Sequence, residues 1–353
     1  MQSLCGALFS IALLFETPFV VTAYDKPIDA AYRLRVTYDD IQTGLTGVDS
    51  YRTVLHVLLV DRTDSSHTWN IADLPFVGEV RFTVERADRG AVVLSKADPD
   101  YGIDEGSIKL FFDLRTKRLL KRIDFETSQD IAFADDVQAK RMLNVSDDGL
   151  ASLRSRGVFN RAADGVEAPE LFIRYPLPQT TYAQFVRARP AQAANGVEKN
   201  SAVFEERIGA YQIAEDRLWF GKAFYDSEGH SGVGGIGYVS NTGKYTFLRI
   251  PEVINWSVSC LLIEGDILWF CRDSEQEGAT TPGGLFRYDL RTRRTRAVWP
   301  KMEDAIDRIA HVEGAIFLGT DHGLYVLKNG KRMRYRTEPD MNGQMVVIQQ
   351  SLP

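Results

Sequence analysis

The stretch Ile316-Phe317-Leu318-Gly319-Thr320-Asp321-His322-Gly323-Leu324-Tyr325-Val326-Leu327 decides how the rest of the chain is read. An apolar run ends on a small residue, a short polar loop follows, and Gly-Leu-Tyr opens a second apolar run. Runs rich in β-branched and aromatic residues, bounded by Gly and Asp, read as strands joined by a tight connection. The same grammar recurs upstream. Leu218-Trp219-Phe220-Gly221 and Leu268-Trp269-Phe270-Cys271 align with Ile316-Phe317-Leu318-Gly319 without gaps, and Val92-Val93-Leu94-Ser95 is a weaker fourth copy. The last position is small each time, as expected where backbones crowd or a strand ends. Gly284-Leu285-Phe286-Arg287-Tyr288-Asp289-Leu290-Arg291-Thr292 matches Ile108-Lys109-Leu110-Phe111-Phe112-Asp113-Leu114-Arg115-Thr116. Asp148-Gly149-Leu150-Ala151-Ser152-Leu153 matches Asp321 to Val326 with a one-residue shift. A period of about 35–50 residues falls in the range of propeller blades, and a repeat outranks every other signal for fold.

Each unit reads as four short strands. In the best copy Asn255 to Ile263 is the first, Glu264-Gly265-Asp266 the turn, Ile267 to Cys271 the second, Leu285 to Asp289 the third, and the fourth ends near Trp299. The fold class expected is therefore all-β: a single β-propeller of four-stranded antiparallel blades, with almost no helix. Blades over about 31–76, 80–125, 129–175, 207–251, 255–300 and 305–338 make six, with five or seven as alternatives. Residues 179–201, polar and holding Arg189-Pro190-Ala191-Gln192-Ala193-Ala194, read as an exposed insertion between blades. Strands near Ala30 and Met345 are candidates to complete a blade from both termini, which would remove exposed edges.

The repeat resembles the two-component-regulator propeller repeat, whose consensus is close to Leu-Trp-Phe-Gly-Thr, a short loop, then Gly-Leu-Tyr. The resemblance is good over 207–338 and faint over 80–160. It implies a propeller, and for function a sensing module: that family usually serves as a periplasmic sensor joined to a membrane helix and a kinase.

Residues 1–23 read as a signal peptide, with an apolar run from Leu4 to Phe15 and small residues at Val21-Thr22-Ala23 for cleavage. The expected location is secreted or periplasmic, with no membrane span in the mature chain. The net charge of −6 is modest. The basic run Arg291-Thr292-Arg293-Arg294-Thr295-Arg296 falls in a turn and is not interleaved with exposed aromatics, which argues against nucleic acid as a partner. If Gly265-Asp266 is a two-residue turn, Cys260 and Cys271 face each other as a hydrogen-bonded pair with Cα atoms about 5.5 Å apart. They are either a disulfide or two small buried residues.

Chemistry is sought in the loops between second and third strands, which a propeller gathers on one face. These loops are long and acidic. One holds Asp98, Asp100, Asp104 and Glu105; another runs Asp226-Ser227-Glu228-Gly229-His230; a third holds Asp273, Glu275 and Glu277; the last is Asp321-His322. Converging carboxylates and imidazoles can hold a calcium ion or work as an acid/base pair. Asp226, Glu228, His230, Asp273, Glu275, Asp321 and His322 are the candidate ligand or metal residues, with Trp256 as a stacking platform. His56 and His67 read as structural. Without a phosphate loop, nucleophile elbow or fixed-spacing metal motif, two readings stand. One is an exported binding or sensing module for a saccharide, peptide or protein ligand. The other is a metal-dependent propeller enzyme, a lactonase, hydrolase or lyase using the acidic loops.

Overall fold

The computed structural model describes residues 19–41, 51–75, 79–85, 90–97, 104–125, 130–159, 170–194, 203–226, 230–276, 279–302, 304–320 and 322–352. The chain divides into two compact units. The first holds two four-stranded antiparallel sheets in sequence order. One is β1 (Phe19–Pro27), β2 (Tyr32–Ile41), β3 (Tyr51–Asp61) and β4 (Thr68–Pro75). The other is β5 (Glu79–Glu85), β6 (Gly90–Ala97), β7 (Asp104–Asp113) and β8 (Arg118–Phe125). Every second residue faces one side of a strand. Leu34 and Val36 with Leu55, Val57 and Leu59 therefore pack as one face against Val92, Ile108, Leu110 and Phe112.

The strand near Ala30 lies between β1 and β3. The expected cleavage point after Ala23 falls inside β1. The part beyond it, Tyr24 to Pro27, pairs with Arg33 to Val36, and Asp25 forms ion pairs with Arg33 (2.5 Å) and Arg35 (3.0 Å). Residues 1–18 lie outside the described residues.

The second unit holds three larger sheets. The first is β10 (Arg207–Ala214), β11 (Arg217–Ala223), β13 (Ile236–Val239) and β14 (Tyr245–Phe247). A short parallel pair, β9 (Val203–Phe204) with β12 (His230–Ser231), stands apart from it. The second sheet is β15 (Ser257–Glu264), β16 (Ile267–Gln276), β17 (Ala279–Asp289) and β18 (Arg294–Trp299). The third is β19 (Ile306–Val312), β20 (Ala315–Thr320), β21 (Gly323–Lys328), β22 (Lys331–Pro339) and β23 (Met345–Leu352), the last pairing with β22 as a fifth strand.

These sheets stack through their first strands, β10 on β15 and β15 on β19. All run in one sense. At the end carrying the two-residue turns, Gln212 accepts the Ile263 N–H (2.7 Å), and His311 meets Glu264 at 2.7 Å. At the other end the Ser257 hydroxyl accepts the Phe224 N–H (2.9 Å) and donates to its carbonyl (3.0 Å). That second end carries the β11–β13, β16–β17 and β20–β21 connections. In each sheet the first strand bulges at the same place, stepping over Gly209, Ser259 and Asp307. Cys260 and Cys271 pair directly and are joined as a disulfide, with Cα atoms 4.8 Å apart. That is closer than the hydrogen-bonded register implied, as the bulge beside Cys260 allows.

Residues 129–175 are not a blade. Among the described residues they fold as α1 (Asp136–Leu143), α2 (Asp147–Ser155) and α3 (Glu170–Arg174). The match of Asp148-Gly149-Leu150 to the strand-opening motif is overridden by capping: the Ser146 hydroxyl accepts the Gly149 N–H, and Asp147 and Asp148 occupy the positive first turn. Asp135 caps α1 in the same way. With that segment helical, the described sheets of four or more strands number five, two in one unit and three in the other.

The helices cover the two outer faces of the three-sheet stack. Leu143, Leu150 and Leu153 bury against Ala310, Phe317, Leu324 and Val326 of the third sheet. Phe172 buries against Leu218, Phe220 and Val239 of the first. The Tyr335 hydroxyl donates to the Met142 carbonyl (2.9 Å), fastening the end of α1 to β22. Burial pushes Tyr335 up to about 12. A group whose pKa is raised on folding contributes stability below its unfolded value, near 10, and loses it as pH climbs toward 12. Tyr335→Phe should cost about 1–3 kcal/mol, because the Met142 carbonyl loses its partner. In pH-jump denaturation the variant should also lose the part of the alkaline transition that lies between pH 10 and 12.

Candidate functional site

Among the described residues the acidic candidates of the loop end do not gather into a group of three or more, and Asp226 is matched by a cation. Asp226 follows β11. Its two oxygens receive both terminal nitrogens of Arg189 (3.2 and 2.6 Å), and the Ser231 hydroxyl donates to it at 2.7 Å. Arg189 also donates to the Gly232 carbonyl (2.9 Å) and lies 5.4 Å from the Phe224 ring. It comes from the region read as an exposed insertion. That region folds as α4 (Tyr182–Ala188) and α5 (Pro190–Ala194), and Phe185 and Arg189 are buried. The correction has a physical cause. One aromatic anchor, Phe185, and one guanidinium bonded through its two terminal nitrogens hold a segment that is otherwise polar.

A second ion pair lies beneath it. Glu206 and Lys222 meet with both side chains almost fully buried. Glu206 also accepts from the Thr180 N–H (2.9 Å), the Thr180 hydroxyl (2.6 Å) and the Val233 N–H (2.8 Å). Burial lowers the Lys222 pKa, and the Glu206 charge opposes that shift. Every group is satisfied, so this network reads as a fastening of Thr180 and Val233 to Glu206 and Lys222 rather than a reaction centre.

His230 stands on β12 with Glu205 at 3.7 Å and the Tyr225 ring at 6.3 Å. Asp273 pairs in register with Ser257 and Pro282. Glu275 pairs with Thr280, and Asp104 begins β7 in the first unit. Trp256 lies beneath Arg272, whose guanidinium is 4.6 Å from the Trp256 ring and 4.2 Å from that of Phe286. One face of Trp256 is thereby used. Asp98, Asp100, Glu228, Glu277 and Asp321 lie outside the described residues. Among the described residues no group of three or more His, Cys, Asp or Glu is placed to hold a metal ion.

His322 is different. It sits in the two-residue connection between Thr320 and Gly323, which the Thr320 hydroxyl tightens by donating to the Gly323 carbonyl (2.9 Å). Its Nδ1 is 3.5 Å from Asp304, a carboxylate in the link leading to β19. The Tyr325 hydroxyl donates to Asp304 at 2.5 Å, and Arg334 forms an ion pair with it at 2.8 Å. Arg334 donates to the His322 carbonyl as well (3.3 Å). Two residues along β22, Arg336 pairs with Glu338 at 3.0 Å. The Asp304 side chain is 4% exposed and that of Arg334 9%, whereas His322 is 16% exposed. The imidazole is thus the accessible edge of a buried ionic network. An imidazole held beside a carboxylate is a group of the kind that binds polar ligands or moves protons.

Sequence reasoning named His322 but not Asp304, Tyr325, Arg334, Arg336 or Glu338. A signal existed: Arg332, Arg334, Arg336 and Glu338 alternate as a row of charges on one face of a strand. Nothing local marks the Arg189–Asp226 pair.

Breaking a buried pair by removing one partner costs about 3–5 kcal/mol, whereas replacing both by apolar groups costs far less. Glu206→Ala should therefore destabilise by that amount in denaturant titration, and Glu206→Leu with Lys222→Met by clearly less. Arg189→Ala should hasten proteolysis within 177–204 before any other site.

No protein-family model matches the chain. No curated protein matches it either. Solved structures that resemble it include the β-propeller domain of the Trilobed protease from Pyrococcus furiosus, with 6% identity over 94% of this chain and 97% of that one at a TM-score of 0.26. The extracellular domain of a protein from B. thetaiotaomicron, described as a hybrid two component system, gives 13% identity over 92% of this chain and 34% of that one at a TM-score of 0.29. The computationally designed Ika8 protein gives 12% identity, 92% and 94% coverage and a TM-score of 0.26. Likenesses this low carry no argument about what this chain does, and the fold described above rests on its own sheets.

Proposed function

We propose that this chain is an exported β-propeller binding or sensing module that holds a saccharide, peptide or protein ligand at the loop end of its second unit. The observation that carries the reading is the His322 cluster. A core has no need of it. Sequestering Asp304, Arg334, Arg336 and Glu338 costs desolvation that their pairing barely offsets, so such a network is weak as a stabilising device. It makes sense as a pre-positioned polar surface reached through His322. Closure of the sheets into one propeller belongs to the same proposal. It is supported by the repeat, by the shared bulge and by the uniform sense of stacking in the second unit.

A second reading is favoured by one feature, the Nδ1 of His322 facing Asp304. In a hydrolase or lyase that arrangement supplies a base.

One experiment separates the two. The purified chain is titrated against panels of neutral and acidic oligosaccharides and short peptides. In parallel it is assayed on lactones and esters with and without a chelator, after metal analysis. Saturable binding that His322→Ala weakens tenfold or more, about 1.4 kcal/mol, with the melting temperature little changed, is the expected result. Full affinity in that variant would overturn the site. Turnover abolished by the same substitution would favour the enzyme.

A further inference from the structure

The turn end of the second unit's middle sheet carries five arginines on one hairpin: Arg287 on β17, Arg291 and Arg293 in the turn, Arg294 and Arg296 on β18. All but Arg287 are exposed. The arrangement has two local costs. Arg287 stands directly opposite Arg296, and like charges across a strand pair are destabilising. Arg293 adopts φ +55, a left-handed position that glycine or asparagine ordinarily fills. Two nearby acids have hydrogen-bond partners of their own, and Asp289 also feels the Arg291 charge. Asp289 accepts the Thr292 N–H (2.6 Å), and Glu252 accepts the Thr295 hydroxyl (2.9 Å). Among the described residues Arg291, Arg293, Arg294 and Arg296 form no salt bridge.

The first unit offers an internal comparison. Its turn Asp113-Leu114-Arg115-Thr116-Lys117-Arg118 repeats Asp289-Leu290-Arg291-Thr292-Arg293-Arg294 almost letter for letter. Lys117 is left-handed like Arg293, but it lies 4.0 Å from the Trp69 ring. That cation has a partner in its own fold, whereas Arg293 has none described.

We propose that the β17–β18 hairpin is a docking strip for a linear acidic polysaccharide, a chain of sugars bearing carboxylate or sulfate groups. Guanidinium is the side chain suited to planar, bidentate recognition of such anions, and the strip is arginine throughout. Arg294 and Arg296 lie two apart on one strand, about 7 Å, so the charges form a row along an edge that a narrow chain can follow. A flat anionic bilayer fits less well. Glu215, Asp216, Asp266 and Glu313 are exposed at the same end and would meet it too. Single-stranded nucleic acid is bound by stacking on exposed aromatics, and the hairpin has none. This strip and His322 lie at opposite ends of the sheets, so it stands or falls independently of the loop-end site.

The test uses the full chain with four probes: oligogalacturonate, dextran sulfate, phosphatidylglycerol vesicles and a deoxythymidine oligomer. One or both polysaccharides should bind, which of them distinguishing carboxylate from sulfate, and binding should weaken steadily with salt. Arg291→Ala with Arg294→Ala and Arg296→Ala should lower affinity at least tenfold and reduce the logarithmic salt slope by about two to three. Equal binding by the triple variant, or no binding to either polysaccharide at low salt, would overturn the proposal. Tighter binding to the vesicles or the oligomer would overturn it in favour of that partner.

Discussion

The second unit depends on how closely neighbouring sheets approach at their first strands. A Cβ on Gly209 would lie 2.3 Å from the Val258 carbonyl oxygen, and one on Gly221 would lie 2.3 Å from the Val258 side chain. Both residues meet the bulge end of β15. The third sheet repeats the constraint, since a Cβ on Gly319 would fall 2.8 Å from the Val158 carbonyl. No L side chain fits at such distances, so glycine is required by packing and not by backbone freedom. The position equivalent to Gly221 and Gly319 in the middle sheet is Cys271, which is fully buried and bonded to Cys260. There a side chain is accommodated, and it is bonded to the neighbouring strand of its own sheet.

This explains why the sheets were legible in the sequence. The small residue ending Leu218-Trp219-Phe220-Gly221 and its relatives is the point of tightest contact, so it cannot drift without separating the sheets. The apolar residues before it, Leu218, Phe220, Phe270 and Leu318, face buried layers and keep their character for the same reason. The turns were legible because the chain must reverse in two residues, and Glu215, Gly265, Glu313 and Gly314 adopt positive φ to do so.

The helical segment was not legible, for a reason of equal generality. A stack of three sheets leaves two outer apolar faces, and either a further sheet or a helix can cover them. Leu150 and Leu153 at helical spacing satisfy the last sheet as well as alternating strand residues would. The choice was made by Ser146 and Asp135, two capping side chains whose effect is confined to one turn. A loop motif and a helix cap share their vocabulary of Ser, Asp and Gly. Gly149, which resembles a strand-opening glycine in sequence, lies where Glu313 reaches across to Ser146.

Charge at the loop end follows the same division between local and distant. Asp226 and His322 announce themselves as loop residues, but what they do is set by partners far along the chain: Arg189 for one, Asp304 and Arg334 for the other. The two outcomes differ in consequence. Asp226 is consumed by a guanidinium that also serves Gly232 and Ser231, so its carboxylate is structural. Asp304 instead gathers Tyr325, Arg334 and His322 around one carboxylate, and His322 is the most exposed of the three. The proposed site rests on that difference in partners and exposure rather than on the acidity of the loops.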